Sequence, residues 1–500
     1  MGRDGRIRFG QRYPSLSVAA LDDSPKLEIA PSENPVRVVW ALAWPAVALN
    51  SLQVINTLLD RFFIGHLELP ALTGHSASMN VMFLMFSLAM ALATGATAIV
   101  SRAWGAGEIG EVKKASHQAM SLAITSGILM LALTALFSGA VAKGLLPSDD
   151  VAAQKQMMSF LAIYALGLPG ISVIQVLAGA LRGVGDTKSP MIISGAQILM
   201  HITLNFLLIY PSHQVFGFTI HGFNMGLAGA ATALATSATV SAIIYIFYSG
   251  RTPLGQQWRL EIPIWSWVKR IMRIAVPAGF MAVLRVLSLT AFTLVLKIVP
   301  GGSVAIAAMG ISFSIESIMF MPAFGLSAAT SALVGQSLGM KKPDRAERLA
   351  WIAAHHGALV TLALCAPIFF GAPYIAKEIV GDKQAVIDQA TILLRYLCAT
   401  EIFFAYSMVM IGAMQGAGDT TRPFWITVVS LWGIRVPLSM ILALKGGQLM
   451  TTMFGMPVTM PIGFGMAATG TWIAISTTQA VQGILSILAF KSGAWKNKSV

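Results

Sequence analysis

The sequence predicts an all-α integral membrane protein with twelve transmembrane helices arranged as two parallel six-helix repeats. Three observations carry that prediction. Of 500 residues, 56% are hydrophobic and only 11% are charged, against roughly a quarter charged in an ordinary soluble domain. Twelve apolar runs reach the roughly 20 helical residues needed to cross a bilayer. Finally, "ALRGVGDTKSP" at 180–190 returns as "AMQGAGDTTRP" at 413–423, 233 positions later.

Taken in order, residues 1–36 are polar and Arg-rich with no apolar segment, so no cleaved signal peptide is expected and the stretch reads as a disordered cytoplasmic tail. The first run, 37–64, contains Pro45 and the polar positions Asn50, Gln53, Thr57 and Asp60. Runs at 70–101, 115–145 and 153–181 are rich in Gly, Ala and Ser, which let helix backbones approach closely where lipid gives no hydrophobic incentive to associate. The fifth, 190–211, carries Ser194, Gln197, His201 and Asn205, and the sixth, 224–249, carries Thr232, Thr236 and Thr239. A polar stretch at 250–264 reads as a cytoplasmic linker between an N-lobe (37–249) and a C-lobe (265–491). The C-lobe has its own runs at 265–299, 303–338, 347–376, 385–416, 423–444 and 464–490, and residues 492–500 read as a cytoplasmic tail. Helix is expected throughout.

The doubled motif is one point in a longer correspondence. Pro45 in "AWPAVALNSLQV" matches Pro277 in "AVPAGFMAVLRV" at an offset of 232, and Val100 and Gly105 match Val334 and Gly339 at 234. "GLAGAATALATS" from Gly226 matches "GMAATGTWIAIS" from Gly465 at 239, the excess falling in a longer outer loop. Each copy of the motif follows an even number of helices, so both lie on one side. The repeats are therefore parallel, about an axis along the membrane normal, as in some secondary transporters.

A Gly-x-Gly-Asp-Thr core invites a phosphate-loop reading, but that loop needs Gly-Lys-Ser/Thr, which neither copy has. A turn explains every residue: Gly183 or Gly416 ends a helix in the left-handed conformation, Asp and Thr satisfy turn and cap donors, and Pro190 or Pro423 opens the next helix. Most of the 34 Lys and Arg fall on the side of the termini and the even-numbered connections, while Arg61, Lys143, Lys155, Lys377, Lys383 and Lys445 fall on the other. Both termini are expected in the cytoplasm, in a multi-pass plasma (inner) membrane protein. The net charge of +13 then reports topology, and nucleic acid is not expected as a partner. Cys365 and Cys398 lie in apolar runs without CxxC spacing, so neither a disulfide framework nor a metal site is expected.

Polar groups at membrane depth cost a few kcal/mol each, so their placement carries functional information. Asn50, Gln53, Thr57 and Asp60 are spaced three, four, three, and Ser194, Gln197, His201 and Asn205 three, four, four, each set on one helix face. Together with the threonine stripe (Thr232, Thr236, Thr239) they point to a wet N-lobe interior. Each has two readings. Asp60 is either a hydrated interfacial charge beside Arg61 or a carboxylate that binds and releases a coupling cation, with His201 and Asn205 as neighbours. His201 is alternatively a core histidine satisfied by a carbonyl, and the threonines can bond back to their own helices. The C-lobe has Phe292 where the repeat places Asp60, and carries Arg285, Glu316, Glu401 and Arg435 instead. Those four are either a structural ion-pair network or a second cation site with arginines for anionic substrate groups.

These residues resemble the multidrug and toxic compound extrusion (MATE) family, most closely its DinF-like branch, over residues 37–491. The resemblance rests on "NTLLDRFFIGHLELPALTG", "ATAIVSRAWGAGE", "LAGALRGVGDTKSP", "GISFSIESIMFMPAFGLSAATSALVGQSLG" and "IGAMQGAGDTTRP" in that order. It implies a MATE-like fold of two six-helix lobes, alternating access, and export in exchange for protons or sodium. The family's first-helix aspartate corresponds to Asp60, and its fifth-helix pair to His201 and Asn205, where relatives often carry Asn followed by Asp or Asn. The seventh-helix glutamate of one branch falls on Arg285, a charge reversal, and its tenth-helix aspartate on Phe404, one turn from Glu401. The family's sixth-helix threonine aligns nearer Leu234, between Thr232 and Thr236. A C-lobe sodium site of that kind is not expected.

The resulting expectation is a monomeric exporter of amphipathic organic compounds that needs no cofactor and couples to H+, with Na+ as the alternative ion. The alternatives are a specific metabolite exporter or a flippase for a lipid-linked precursor, kept open by Arg285 and Arg435, and then a non-transporting scaffold or enzyme. No nucleophile–base set or HExxH motif supports an enzyme.

Overall fold

The computed structural model of the protein describes residues 34–215, 218–259, 261–447, 449–450, 458–459 and 462–498. Residues 1–33 of the expected N-terminal tail lie outside them, as do 499 and 500. Among the described residues, twelve helices are long and apolar enough to cross a membrane. They are α1 (Pro35–Gly65), α2 (Leu69–Gly105), α3 (Ile109–Leu145), α4 (Val151–Gly183), α5 (Lys188–Ile209), α6 (Gly226–Ser249), α7 (Trp265–Ile298), α8 (Gly302–Gly339), α9 (Pro343–Val380), α10 (Gln384–Gly416), α11 (Thr421–Ala443) and α12 (Ala467–Lys491). α1 opens within the expected tail, because the Asn34 side chain accepts from the Val36 N–H (3.0 Å) and Pro35 sits in the first turn, where a missing N–H costs nothing.

Two features depart from uninterrupted helix. Strand β1 (Pro211–Val215) pairs antiparallel with β2 (Phe218–Phe223) between α5 and α6, and β3 (Leu449–Met450) with β4 (Val458–Thr459) between α11 and α12. Windows long enough to find membrane spans average over strands this short, so the sequence pattern missed both. Within α11, residues Val428–Arg435 form a π-helical segment. Pro437 follows two residues after its end; it has no N–H for the Gly433 carbonyl and its ring crowds that oxygen, which the wider turn relieves.

The repeated motif is a turn, with one correction. Gly183 and Gly416 are the last helical residues of α4 and α10, and the left-handed positions fall on Gly185 (φ 91°) and Gly418 (φ 83°). The first glycine of each copy is required by close approach instead: a Cβ on Gly416 would lie 2.0 Å from the Ser331 carbonyl oxygen, and one on Gly183 3.2 Å from the Ser101 amide nitrogen. Asp186 caps α5 by accepting from the Ser189 N–H (3.0 Å), whereas Asp419 pairs with Arg422.

The cores show how the halves interlock. The first half of α1 (Val39, Ala43) is buried among Leu326 and Leu333 of α8, Leu349 of α9 and Val409 of α10, while its second half (Phe63, Ile64) joins Met157, Phe160 and Ile209 in the first six helices. α7 mirrors this: Trp267, Ile271 and Ile274 are buried among Ile99, Met120 and Leu177, and Phe292, Val295 and Leu296 among Met319, Leu393 and Trp472. Thus α1 and α7 each begin in one lobe and end in the other. At the end carrying the termini, α2 and α8 cross about the repeat axis. A Cβ on Gly105 would lie 2.0 Å from the Gln336 carbonyl oxygen, and one on Gly339 2.1 Å from that of Arg102, two contacts related by the 234-residue offset. Gln336 also donates to the Gly183 carbonyl (2.9 Å), joining α8 to the end of α4. The halves are closed against each other at this end.

Residues 492–498 are a docked segment and not a free tail. Trp495 is fully buried, stacks on Phe490 with centroids 4.7 Å apart, and donates its indole N–H to the Phe490 carbonyl (2.8 Å). Lys496 pairs with Glu347 at 2.6 Å, a hydrogen bond that raises the ammonium above its ordinary pKa, so the Lys496 contribution to the pair is present at neutral pH and fades as the solution becomes strongly alkaline. The Lys498 carbonyl accepts from Arg102 (2.6 Å), tying the segment to α2. Trp495→Ala is expected to cost about 3–5 kcal/mol, the usual range for a buried tryptophan, seen as a lower thermal midpoint of the purified protein.

Candidate functional site

The strongest polar cluster at membrane depth lies where α1 and α5 run side by side. Both helices cross in the same direction, and matched four-residue ridges set Asn56 opposite His201 and Asp60 opposite Asn205. The Tyr210 hydroxyl, just beyond α5, donates to the Phe63 carbonyl (2.7 Å) and fixes this register at the outer end.

The Asp60 carboxylate accepts from the Asn205 amide at 2.8 Å on one oxygen and from the Asn56 amide at 3.3 Å on the other. His201 Nδ1 lies 3.2 Å from the Asn56 side-chain oxygen and 3.8 Å from Asp60. Asp60 keeps a fifth of its side-chain surface exposed, whereas His201 and Asn205 are buried and the Asn205 carbonyl oxygen has no partner among the described residues. The result is one carboxyl with an open edge, held by two amides and backed by an imidazole. Asp60 engages α5 through its contact with the Asn205 amide, and the hydrogen-bond partner of His201 is an amide side chain.

Asn56 was missed by the sequence pattern. At about 100° per residue, Asp60 projects about 40° from Asn56 and about 60° from Thr57, so the i, i+4 partner was the better choice. The rest of the α1 stripe disperses: Thr57 bonds back to the Gln53 carbonyl (3.0 Å), Gln53 is exposed, and Asn50 and Gln53 make no side-chain hydrogen bond among the described residues. Gln197 likewise has no such bond, and Ser194 bonds the Tyr245 hydroxyl (2.8 Å) toward the far end of α5. Thr232 and Thr239 bond back to Ala228 and Ala235 (2.8 Å each), and Thr236 is exposed. The threonine stripe therefore contributes nothing to the cluster.

The C-lobe charges are close but not joined as a network. No Lys/Arg–carboxylate contact within 4.0 Å links Arg285, Glu316, Glu401 or Arg435 among the described residues. Glu316 accepts from Gln479 (2.8 Å), whose own oxygen accepts from Thr400 (2.8 Å). Glu401 is fully buried with neither carboxyl oxygen partnered, and Arg435, at the end of the π segment, leaves Nε unpartnered. Glu316 and Arg435 are near enough to interact electrostatically, but among the described residues no direct ion pair joins them. Gln479 and Thr400 were not legible in advance, since only tertiary packing brings α12 beside α10. Because Glu401 has no partner to lose, Glu401→Gln is expected to leave the thermal midpoint unchanged or raised, whereas breaking a buried ion pair would cost about 3–5 kcal/mol.

A single intramembrane carboxyl set on paired α1 and α5 within a duplicated six-helix frame can be compared with known proteins. The family model MatE matches residues 45–207 and 277–441, the two halves in register with the internal repeat. The chain belongs to the MatE family. Among MatE-like relatives, it is 28% identical over 464 residues to a probable multidrug resistance protein NorM of Thermotoga maritima, covering 92% of this chain and 93% of the relative. It is 26% identical over 418 residues to the multidrug resistance protein MdtK of Photorhabdus laumondii, covering 82% and 88%. Of solved structures, a MOP superfamily transporter from Pyrococcus furiosus superposes with a TM-score of 0.80 at 19% identity, covering 93% of this chain and 98% of that one. An outward-facing multidrug resistance MATE transporter of the same superfamily gives the same TM-score, identity and coverage. The MatE-type fold of this multi-pass membrane protein is thereby established.

Proposed function

We propose that this MatE-family chain is a proton-coupled exporter of amphipathic organic compounds, working by alternating access from a plasma membrane with both termini in the cytoplasm. The relatives' multidrug resistance names support the substrate class, and the closed terminus-bearing end supports a state that faces outward. The observation that carries the coupling reading is Asp60, the one carboxyl of the N-lobe cluster, held by Asn56 and Asn205 with an edge left open.

The chemistry follows from those contacts. As a carboxylate, Asp60 accepts from two amide N–H groups. Proton uptake turns one oxygen into a donor, which displaces an amide N–H and allows that amide to rotate and present its oxygen. The contacts between α1 and α5 then differ between the two protonation states. A differential contact energy of this kind is what lets an ion bias a two-state element. Asp60 sits in the half of α1 that packs on the N-lobe, whereas the other half packs on the C-lobe, so a shift of α1 against α5 reaches the closed end directly.

Sodium is the second reading, favoured by the unpartnered Asn205 oxygen. A hard cation wants several oxygen ligands, however, and this cluster offers one carboxylate, amides and an imidazole. In everted vesicles, uptake of a fluorescent organic cation is expected to need the pH gradient and to collapse with a protonophore. Uptake unaffected by the protonophore but abolished by removing sodium would overturn the proton reading. No uptake of any amphipathic cation would return the specific-metabolite and flippase readings.

A further inference from the structure

A cavity of about 350 Å³ opens at the terminus-bearing end where α7, the turn before α11 and the C-terminal segment meet, lined by Arg270, Arg273, Gly418, Thr421 and Lys498 among others. Three cations from two separated segments face one space. Two carboxylates lie near it, and both are engaged: Glu111 by Arg270, and buried Asp419 by Arg422, with Lys498 at 3.8 Å. Arg273 is exposed and has no ion pair among the described residues. Behind the cavity, Arg102 donates to the Lys498 carbonyl, adding a further positive charge.

Arg273 also borders a second, apolar recess of about 480 Å³ lined by Trp265, Val268, Lys269 and Met272. These positions are spaced three, one, three, one and so share one face of α7. Trp265, 77% exposed at the first turn, is where an aromatic side chain marks a membrane interface. A cationic cavity that shares Arg273 with an apolar recess on the exposed face of a membrane helix has the two chemistries of an anionic amphiphile.

We propose that this site binds an anionic phospholipid, with its phosphate among Arg270, Arg273 and Lys498 and an acyl chain along the Trp265–Met272 face of α7. A free phosphate or a nucleotide would use the cavity alone and leave the recess unexplained. Basic pockets between membrane helices on the cytoplasmic side are suited to such head groups, which connects the site to the orientation proposed above. A bound head group would bridge α7 to the segment that Arg102 ties to α2, and so would favour the closed end.

The test is native mass spectrometry of the full chain in neutral detergent, titrated with phosphatidylglycerol, phosphatidylcholine of the same chains, or inorganic phosphate. Its outcome does not depend on orientation or on transport, so it fails separately from the functional reading. Phosphatidylglycerol is expected to be retained over phosphatidylcholine. Arg273→Gln and Lys498→Gln are each expected to lower that retention about five-fold, the effect of one basic residue near an anionic head group. Trp265→Ala with Met272→Ser is expected to weaken both lipids. Equal retention of the two lipids, retention unchanged in both charge variants, or displacement of phosphatidylglycerol by millimolar inorganic phosphate would overturn the proposal. Both charge variants alter exposed or partly exposed side chains, so the folded protein is available for the measurement.

Discussion

Asp60→Asn is expected to abolish uphill export while leaving the folded protein and downhill exchange of substrate intact. Asparagine keeps the size of the side chain and one oxygen that accepts from Asn205 (2.8 Å in the parent), but an amide cannot take up a proton. Coupling energies between sites are typically 1–3 kcal/mol, so its loss corresponds to a fall in gradient-driven accumulation on the order of a hundred-fold at the upper end. The control is the thermal midpoint, expected within a few degrees of the parent because neither helix loses packing. Asn56→Ala and His201→Ala remove supports and not the proton site, so each should lower accumulation less than Asp60→Asn. Full uphill accumulation by the Asp60→Asn variant would remove Asp60 from the coupling role.

The second large effect is expected at the α2–α8 crossing. Gly105→Val and Gly339→Val would each push a side chain into backbone: even a single Cβ would lie 2.0 Å from the Gln336 oxygen or 2.1 Å from the Arg102 oxygen. Backbone cannot step aside as a flexible side chain can. Overpacking of this kind costs about 1–3 kcal/mol, and the cost falls only on the arrangement in which α2 and α8 touch. The ratio of closed to open protein at this end should therefore drop by roughly 5- to 150-fold, since every 1.4 kcal/mol is a factor of ten. Spin labels at the ends of α2 and α8 should report a longer distance in either variant, and equally in both because the contacts are repeat-related. An unchanged distance together with full transport would show that the closed end is not the element that moves.

The helices were legible because membrane spans leave the simplest of all sequence signals, a long run with almost no charge, and the duplication supplied an internal check. What was illegible follows from length and from tertiary context. The strands at 211–215, 218–223, 449–450 and 458–459 are too short for a window of span length, and the π segment before Pro437 changes hydrogen bonding without changing composition. The interchange of α1 and α7 between lobes leaves no mark on chain order, because each helix is apolar along both halves.

The site divides in the same way. Asp60, His201 and Asn205 could be read from spacing because two ideal helices in contact present four-residue ridges to each other. Asn56 lies four residues before Asp60 and meets the same ridge, whereas the Thr57 hydroxyl is spent on its own helix. Glu401 and Arg435 could be located in sequence but not paired, since pairing depends on side-chain distances that no periodicity encodes. The doubled glycine motif is a turn, as its composition predicts, but its left-handed residue lies two positions later than expected: the first glycine is needed for helix contact and only the second for its φ.

The most direct test of the central claim is substrate flux into proteoliposomes energised by one gradient at a time. With a pH gradient alone, in sodium-free buffer, the parent protein is expected to accumulate an amphipathic organic cation against its gradient and the Asp60→Asn protein is not. A sodium gradient alone, with pH equal on both sides, is expected to drive no accumulation. Accumulation driven by sodium and not by protons, or by protons equally well in both proteins, would contradict the account.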